Sequence, residues 1–309
     1  MKSDSFKFKA KDGTELFVYR WLPDKGEKIK AAVQIAHGMA EQASRYERFA
    51  KALVKEGYAV YAKDHRGHGK TAGDLENVGF FAKEDGWTKV VDDMHELTKI
   101  IKKENLKLPV FLFGHSMGSM LARHYIFLYG KEIDGVIVSG TSGDPGILGK
   151  IGVLIAKREK KKRGEKFRSE LLTKLSFGEF NKPFKPNRTE FDWLSRDEAE
   201  VDKYVKDPYC GGVFTTSFFC DLLAGINAIH DVKNVEKTPK DLPMFIFSGG
   251  KDPVGKGGKG VRAVHKMYEK IGMKDLTLKL YPDARHEMLN EVNREEVFAD
   301  VINWLNDHL

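Results

Sequence analysis

Val110-Phe111-Leu112-Phe113 runs directly into Gly114-His115-Ser116-Met117-Gly118, and a helix-patterned stretch from Met117 to Leu128 follows. A bare Gly-x-Ser-x-Gly is weak, because about one chain in ten of this length and composition would carry it by chance. Its context is far more restrictive. An apolar strand enters the motif and a helix leaves it, as a sharp strand-to-helix turn requires. Glycines on both sides remove the Cβ atoms that would keep such a turn from closing. Ser116 would then project at the carboxyl end of a sheet strand, over a helix N-terminus, as a candidate nucleophile.

The rest of the chain supplies a sheet for that strand. Phe6–Ala10 and Leu16–Trp21 flank a turn at Asp12-Gly13 and read as an antiparallel pair. Short apolar runs then alternate with helical stretches. The runs are Ala31–Ile35, Tyr58–Ala62, Val110–Phe113, Gly135–Val138, Met244–Phe247 and Leu276–Leu280. Helices are expected near 45–55, 90–103, 117–128, 262–270 and 295–305. This alternation predicts an α/β fold whose mostly parallel, eight-stranded sheet is covered by helices on both faces. The stretch from Ser142 to Val235 holds helix-like pieces and no clear strand. It is expected to be a helical cap inserted into a core made of residues 1–141 and 236–309.

A serine hydroxyl needs a base to take its proton and a carboxylate to orient that base. In this chain order the acid precedes the histidine. His286 lies just after the last strand, in Pro282-Asp283-Ala284-Arg285-His286-Glu287, and is the candidate base. The glycine-rich turn Ser248-Gly249-Gly250-Lys251-Asp252-Pro253 follows the preceding strand, and proline restricts the residue before it. Asp252 is therefore the candidate acid, with Asp144 as its rival after the earlier strand. Oxyanion donors are expected at the backbone N–H of Met117 and, from the loop after the third strand, of Met39. Asp64-His65-Arg66-Gly67-His68-Gly69 pairs two histidines, yet no third ligand cluster stands near them, so a braced structural loop is expected rather than a metal site.

Composition narrows the class. Of 309 residues, 41% are hydrophobic, enough for one substantial core. Met1–Gly13 has no apolar run of signal-peptide type, and no stretch reads as a membrane span. The two cysteines, Cys210 and Cys220, are too few for a disulfide framework and read as buried apolar residues. These features predict a soluble, cytoplasmic protein. The net charge of +7 suits a lysine-rich surface or an anionic membrane. No zinc-finger or RNA-binding motif accompanies it, so no nucleic-acid partner is expected.

HGMAEQASRYERFA (37–50), DHRGHGKT (64–71), GHSMGS (114–119), SGGKDPVG (248–255) and DARHEML (283–289) together span nearly the whole core. In these motifs the chain resembles the monoacylglycerol lipase and lysophospholipase branch of the α/β-hydrolase family. Ala40 stands where a glycine is common there, and Thr71 where a serine is common. The resemblance implies hydrolysis of a single-chain lipid ester, most simply a monoacylglycerol, beneath a helical cap and without metal or cofactor. Lysophospholipase, short-chain esterase and peptidase activities are alternatives, and a non-catalytic binding protein on the same fold is a remote one. Ile151, Leu154, Phe218, Phe219 and Leu222 are candidates to line an acyl pocket. Ile147, Leu148, Ile151, Leu154 and Ile155 form one apolar helical stripe. It runs into Lys157, Arg158, Lys160, Lys161, Lys162 and Arg163, a combination suited either to an anionic lipid surface or to packing on the protein itself.

Overall fold

A computed structural model describes all 309 residues. The eight strands are β1 (Lys2–Lys9), β2 (Glu15–Leu22), β3 (Ala31–Ala36), β4 (Tyr58–Lys63), β5 (Val110–His115), β6 (Gly135–Ser139), β7 (Met244–Gly249) and β8 (Leu276–Tyr281). They form one sheet in the order β1-β2-β4-β3-β5-β6-β7-β8. β1 and β2 make an antiparallel hairpin, and β2 joins β4 antiparallel. From β4 to β8 every pairing is parallel. The expected sheet and all of its strands are present.

β3 to β7 are buried along their whole length, which is why they read as continuous apolar runs without alternation. Helices Gly86–Glu104, Met117–Tyr129 and Lys259–Lys270 cover one face, where Leu112, Val136 and Val138 meet Met94, Leu121 and Val264. Helices Glu47–Lys55 and Arg294–Asp307 cover the other, where Phe111, Phe113 and Phe245 meet Phe49, Val301 and Trp304. The helix expected near 90–103 begins four residues earlier, at Gly86, because Trp87 is itself buried in the core.

Between β6 and β7 the chain contributes no strand to the sheet. It forms helices Gly146–Arg163, Glu170–Phe177, Glu198–Lys206, Thr216–Ala228 and Val232–Val235. This insertion is anchored to the body by Ala156, Leu172, Phe214, Phe218, Phe219 and Leu222, which share a buried apolar cluster with Phe81, Trp87, Met117 and Met120. No helix is long and apolar enough to cross a membrane.

β3 leads to β4 on one side and neighbours β5 on the other, so the chain changes direction between β3 and β5. A crevice opens at the carboxyl ends of the strands at such a switch point. The loops that begin with His37 and Ser116 emerge there.

Candidate active site

Ser116 sits in the turn with φ 53° and ψ −120°, a conformation that costs a residue with a side chain about 1–3 kcal/mol. The surrounding structure holds it there. Its N–H donates to the Ser139 carbonyl at 2.9 Å, and its own carbonyl accepts from Ser119 N–H at 2.9 Å. A Cβ on Gly114 would stand 2.4 Å from the Gly118 carbonyl oxygen, and one on Gly118 would stand 2.0 Å from the Ala36 carbonyl oxygen. The glycines of the motif are thus required by backbone packing on both sides. Ser116 is half-buried, within reach of a ligand.

The other two candidate residues are brought together by their loops. Gly250 N–H donates to the Tyr281 carbonyl at 2.7 Å and Lys251 N–H to the Ala284 carbonyl at 2.9 Å. A Cβ on Gly249 would lie 2.0 Å from the Arg285 carbonyl oxygen, so the Gly249-Gly250 pair lets the two loops touch. His286 Nδ1 lies 3.0 Å from Asp252 Oδ2. Asp252 is fully buried; its Oδ2 also accepts from Ser248 Oγ at 2.9 Å, and its Oδ1 from Val254 N–H at 2.9 Å. With the carboxylate on Nδ1, Nε2 is left as the proton-accepting nitrogen. Burial alone would lower the His286 pKa, but the charge and hydrogen bond of Asp252 overcome it and hold it above the ordinary value. The His286 ring packs between His115 and Trp193, at 4.8 and 5.1 Å between ring centres. A Cβ on Gly140, the residue after Ser139, would be 3.1 Å from its Cε1. Asp144, the rival acid, is exposed and accepts from Gly146 N–H two residues away.

Met39 and Met117 present the two expected amides. Neither donates to a backbone carbonyl. The Met117 side chain is buried and Met39 packs half-buried against the same cluster. Glu41 holds the loop that carries Met39 by accepting from Gly38 N–H and from Tyr46 Oη, the latter at 2.8 Å. Ala40, where a glycine is common in the resembled family, has φ 56°, the left-handed conformation that explains a glycine preference. Thr71 keeps the hydroxyl of the serine it replaces, since its Oγ1 donates to the Asp64 carbonyl and accepts from Phe17 N–H, both at 2.9 Å.

The histidines of the 64–69 loop are buried, and His68 meets the Arg66 carbonyl through Nδ1 at 2.9 Å while its Nε2 has no partner. His65 N–H donates to His37 Nε2 at 2.9 Å, which makes Nδ1 the protonated nitrogen of His37 and the donor to the Gly38 carbonyl at 2.8 Å. His65 Nδ1 meets Lys63 Nζ at 2.9 Å, and burial brings that lysine down to about 8. Arg66 forks onto Asp93 and Asp12. A Cβ on Gly67 would be 2.5 Å from the Phe80 carbonyl oxygen. This loop therefore braces the one that carries Met39.

Phe218, Phe219 and Leu222 lie in the cluster that runs from the insertion to Met117 and Met120 beneath the elbow. Ile151 and Leu154 instead stand outward, 46% and 68% exposed. Cys210 and Cys220 are partly buried free thiols, raised above the ordinary value by burial. Sequence reasoning missed Trp193, Ser248 and the charged group Glu41, Arg45 and Glu287. Glu41 and Arg45 stand four apart, the spacing of a helical ion pair, which was a usable signal. Nothing local pointed to the others.

The family described as serine aminopeptidase, S33, matches residues 27–293. The chain belongs to this family. It is 27% identical over 305 residues to the monoacylglycerol lipase of Mycolicibacterium smegmatis, covering 98% of this chain and 96% of that one. It is 36% identical over 280 residues to a monoglyceride lipase homolog of monkeypox virus, covering 89% of each. Its fold matches the crystal structure of a highly thermostable carboxyl esterase from Bacillus coagulans in complex with glycerol, with a TM-score of 0.92, 29% identity and 99% coverage of both chains. The protein is a serine hydrolase on the α/β-hydrolase fold, of monoacylglycerol lipase type.

Proposed function

We propose that this hydrolase cleaves the ester of a single-chain lipid, in the first place a monoacylglycerol, through Ser116, His286 and Asp252. The observation that carries the reading is the half-buried Ser116 beside two uncommitted amides, in a site whose histidine is already paired with a buried carboxylate. His286 Nε2 takes the hydroxyl proton as Ser116 Oγ bonds to the ester carbonyl carbon. The Met39 and Met117 N–H groups hold the oxygen that becomes negative. The carbon–oxygen bond to glycerol then breaks, and His286 returns the proton to the leaving oxygen. Water, deprotonated by the same nitrogen, attacks the acyl-enzyme and releases the fatty acid, restoring Ser116. Asp252 keeps the proton on Nδ1 and stabilises the imidazolium.

The insertion serves as the cap, with Phe218, Phe219 and Leu222 along the acyl path. Two features support a lipid substrate. Relatives that span the chain include a monoacylglycerol lipase and a monoglyceride lipase homolog. Helix Gly146–Arg163 also packs in an inverted way. It turns Gly149, Gly152 and Ala156 inward, with Gly152 against Leu223, and leaves Ile147, Leu148 and Leu154 between 68% and 77% exposed. Leu171 and Leu175 of the next helix are exposed as well. An outward apolar face beside a basic run suits the edge of an anionic membrane.

Ser116→Ala tests the core of the reading. It should cut ester hydrolysis by about a thousandfold or more and abolish fluorophosphonate labelling at an unchanged Tm. Retention of a substantial fraction of wild-type turnover in a purified sample would reject Ser116 as the nucleophile. A panel of monoacylglycerols, lysophospholipids, short-chain esters and aminoacyl anilides then separates the substrate classes.

A further inference from the structure

Arg45 is nearly buried in the short 3-10 turn Ala43–Tyr46 that precedes helix Glu47–Lys55, in a part of the chain to which the proposed chemistry assigns nothing. Its Nη1 donates to Glu41 Oε2 and to Glu287 Oε1, both at 2.7 Å, and its Nη2 donates to Glu287 Oε2 at 2.7 Å. The two carboxylates belong to opposite halves of the site. Glu41 accepts from Gly38 N–H, one residue before the Met39 amide. Glu287 directly follows His286, and its own N–H donates to the Leu194 carbonyl of the insertion at 2.7 Å. Tyr204 of the insertion lies under the guanidinium, 4.9 Å from ring centre to Cζ.

We propose that Arg45 is a positioning residue that fixes the oxyanion loop, through Glu41, and the histidine loop, through Glu287, in one register. The inference rests on the triad reading above. Only a guanidinium meets the geometry, because one planar fork holds Glu287 in two-point contact while still reaching Glu41. All three groups are nearly buried, so the bridge is only weakly screened by bulk water. Two carboxylates against one cation leave an excess negative charge. It is accommodated by hydrogen bonds from Gly38 N–H and Tyr46 Oη to Glu41, and from Asn290 Nδ2 to Glu287. Burial alone would raise the pKa of Glu287, but the charge of Arg45 outweighs it and holds that carboxylate below the ordinary range. The Glu287 arm of the bridge therefore stays ionised where the enzyme would work, while burial pushes the Glu41 carboxyl up against the opposing pull of Arg45. Displacing either loop by a fraction of an ångström would separate the base from the oxyanion donors, although neither Arg45 nor its partners touch the ester.

The test is a kinetic cycle on a soluble short-chain ester, using Arg45→Met, Arg45→Lys, Glu41→Gln, Glu287→Gln and the double variant Glu41→Gln/Glu287→Gln. Arg45→Met should lower kcat by about a hundredfold, the cost of a small misalignment, with KM within about threefold of wild type. Arg45→Lys keeps the charge without the fork and should not restore kcat. The double variant should lose little more than the worse single variant, because both changes cut the same link.

The acidic limb of kcat/KM adds a readout that a purely structural role would leave in place. The charged or titratable groups around His286 are Asp252 after β7, His115 at the end of β5, Glu287 on its own loop, and Glu41 and Arg45 after β3. Losing the Arg45 cation should move the limb to higher pH, and losing the Glu287 charge should move it to lower pH. Multiplying effects of Glu41→Gln and Glu287→Gln, or a full kcat in Arg45→Met, would overturn the proposal. If Arg45→Met fails to fold, the glutamate cycle decides alone. Failure of the triad reading has a separate signature, hydrolysis that survives Ser116→Ala, and it would overturn this inference too.

Discussion

Gly38 lies so close to Ser116 that a Cβ on the glycine would stand 3.1 Å from the serine's Cβ, and 2.7 Å from Glu41 Oε1. The loop that carries the Met39 amide is therefore in contact with Ser116, the proposed nucleophile. Its close approach is possible because Gly38 has no methyl group.

Gly38→Ala should consequently damage catalysis more than stability. The added methyl must push the loop away from Ser116, or displace the Glu41 carboxylate that holds Gly38 N–H. A shift of this size costs about a hundredfold in kcat when it misaligns an oxyanion donor. Thermal melting alongside kinetics on a soluble ester provides the check. Wild-type kcat in a folded Gly38→Ala protein would mean that the loop does not supply the donor.

The acid assignment separates as cleanly. Asp252→Asn places an amide opposite His286 Nδ1 and favours the wrong imidazole tautomer, a change that costs about ten-thousandfold in the serine proteases. Asp144→Asn alters only an exposed turn and should leave kcat near wild type. A crippled Asp144 variant with an active Asp252 variant would move the acid to the loop after β6.

Much of this site could be read before any coordinates. β3 to β7 are buried on both faces, so their residues had to be apolar throughout and stood out against the helices. Ser116 and Asp252 each follow such a strand, His286 follows the partly buried edge strand β8, and their chain order left few candidates. The bridge from Arg45 to Glu287 spans 242 positions and has no periodic signature, so only the fold brings it to light. The stripe from Ile147 to Ile155 was legible as a stripe, but helical spacing is the same for a face turned inward or outward, and of the five only Ile155 packs against the core cluster. Its opposite side held the missing information: Gly149, Gly152 and Ala156 are small enough for the helix to pack closely on that side.

Acid should unfold this protein early. Burial is the largest cause lowering the pKa of His37, His65, His68, His115, His124 and His230; His37 and His65 fall well below the ordinary value, and His68, His124 and His230 fall to about 4. Each binds a proton in the unfolded chain from about pH 6.5 downward, while the folded chain resists it. Stability is therefore present above pH 6.5 and is lost as pH falls toward 4, by up to about 1.4 kcal/mol per proton per pH unit. His286, with its raised pKa, acts in the opposite sense but is one group against seven, since burial lowers the pKa of the partly exposed His95 as well. Asp64 and Asp221, both raised by burial to about 6, offset part of the loss. Melting curves should show Tm dropping steeply between pH 6.5 and 5. A flat Tm across that interval would mean that these imidazoles are protonated in the folded protein.

The outer face of the insertion should bind anionic lipid. Arg158, Lys161 and Lys162 lie near the end of helix Gly146–Arg163, which also exposes Ile147, Leu148 and Leu154. Lys160 is the wrong residue to change, because its Nζ reaches back to Ser217 Oγ at 3.3 Å and to the Lys83 carbonyl at 3.5 Å. Each cation at an anionic surface contributes up to about 1 kcal/mol, and reversing three of them adds repulsion to the loss. Vesicle co-sedimentation of the Arg158→Glu/Lys161→Glu/Lys162→Glu protein should therefore weaken markedly at low salt, and salt should weaken wild-type binding in the same direction. Leu148→Ser/Leu154→Ser should weaken it independently of salt, since that pair removes apolar burial. Neither variant should change the hydrolysis of a soluble short-chain ester. Equal sedimentation of all three proteins would make the face a solvated one, and a parallel loss of soluble-ester activity would point to damage within the insertion.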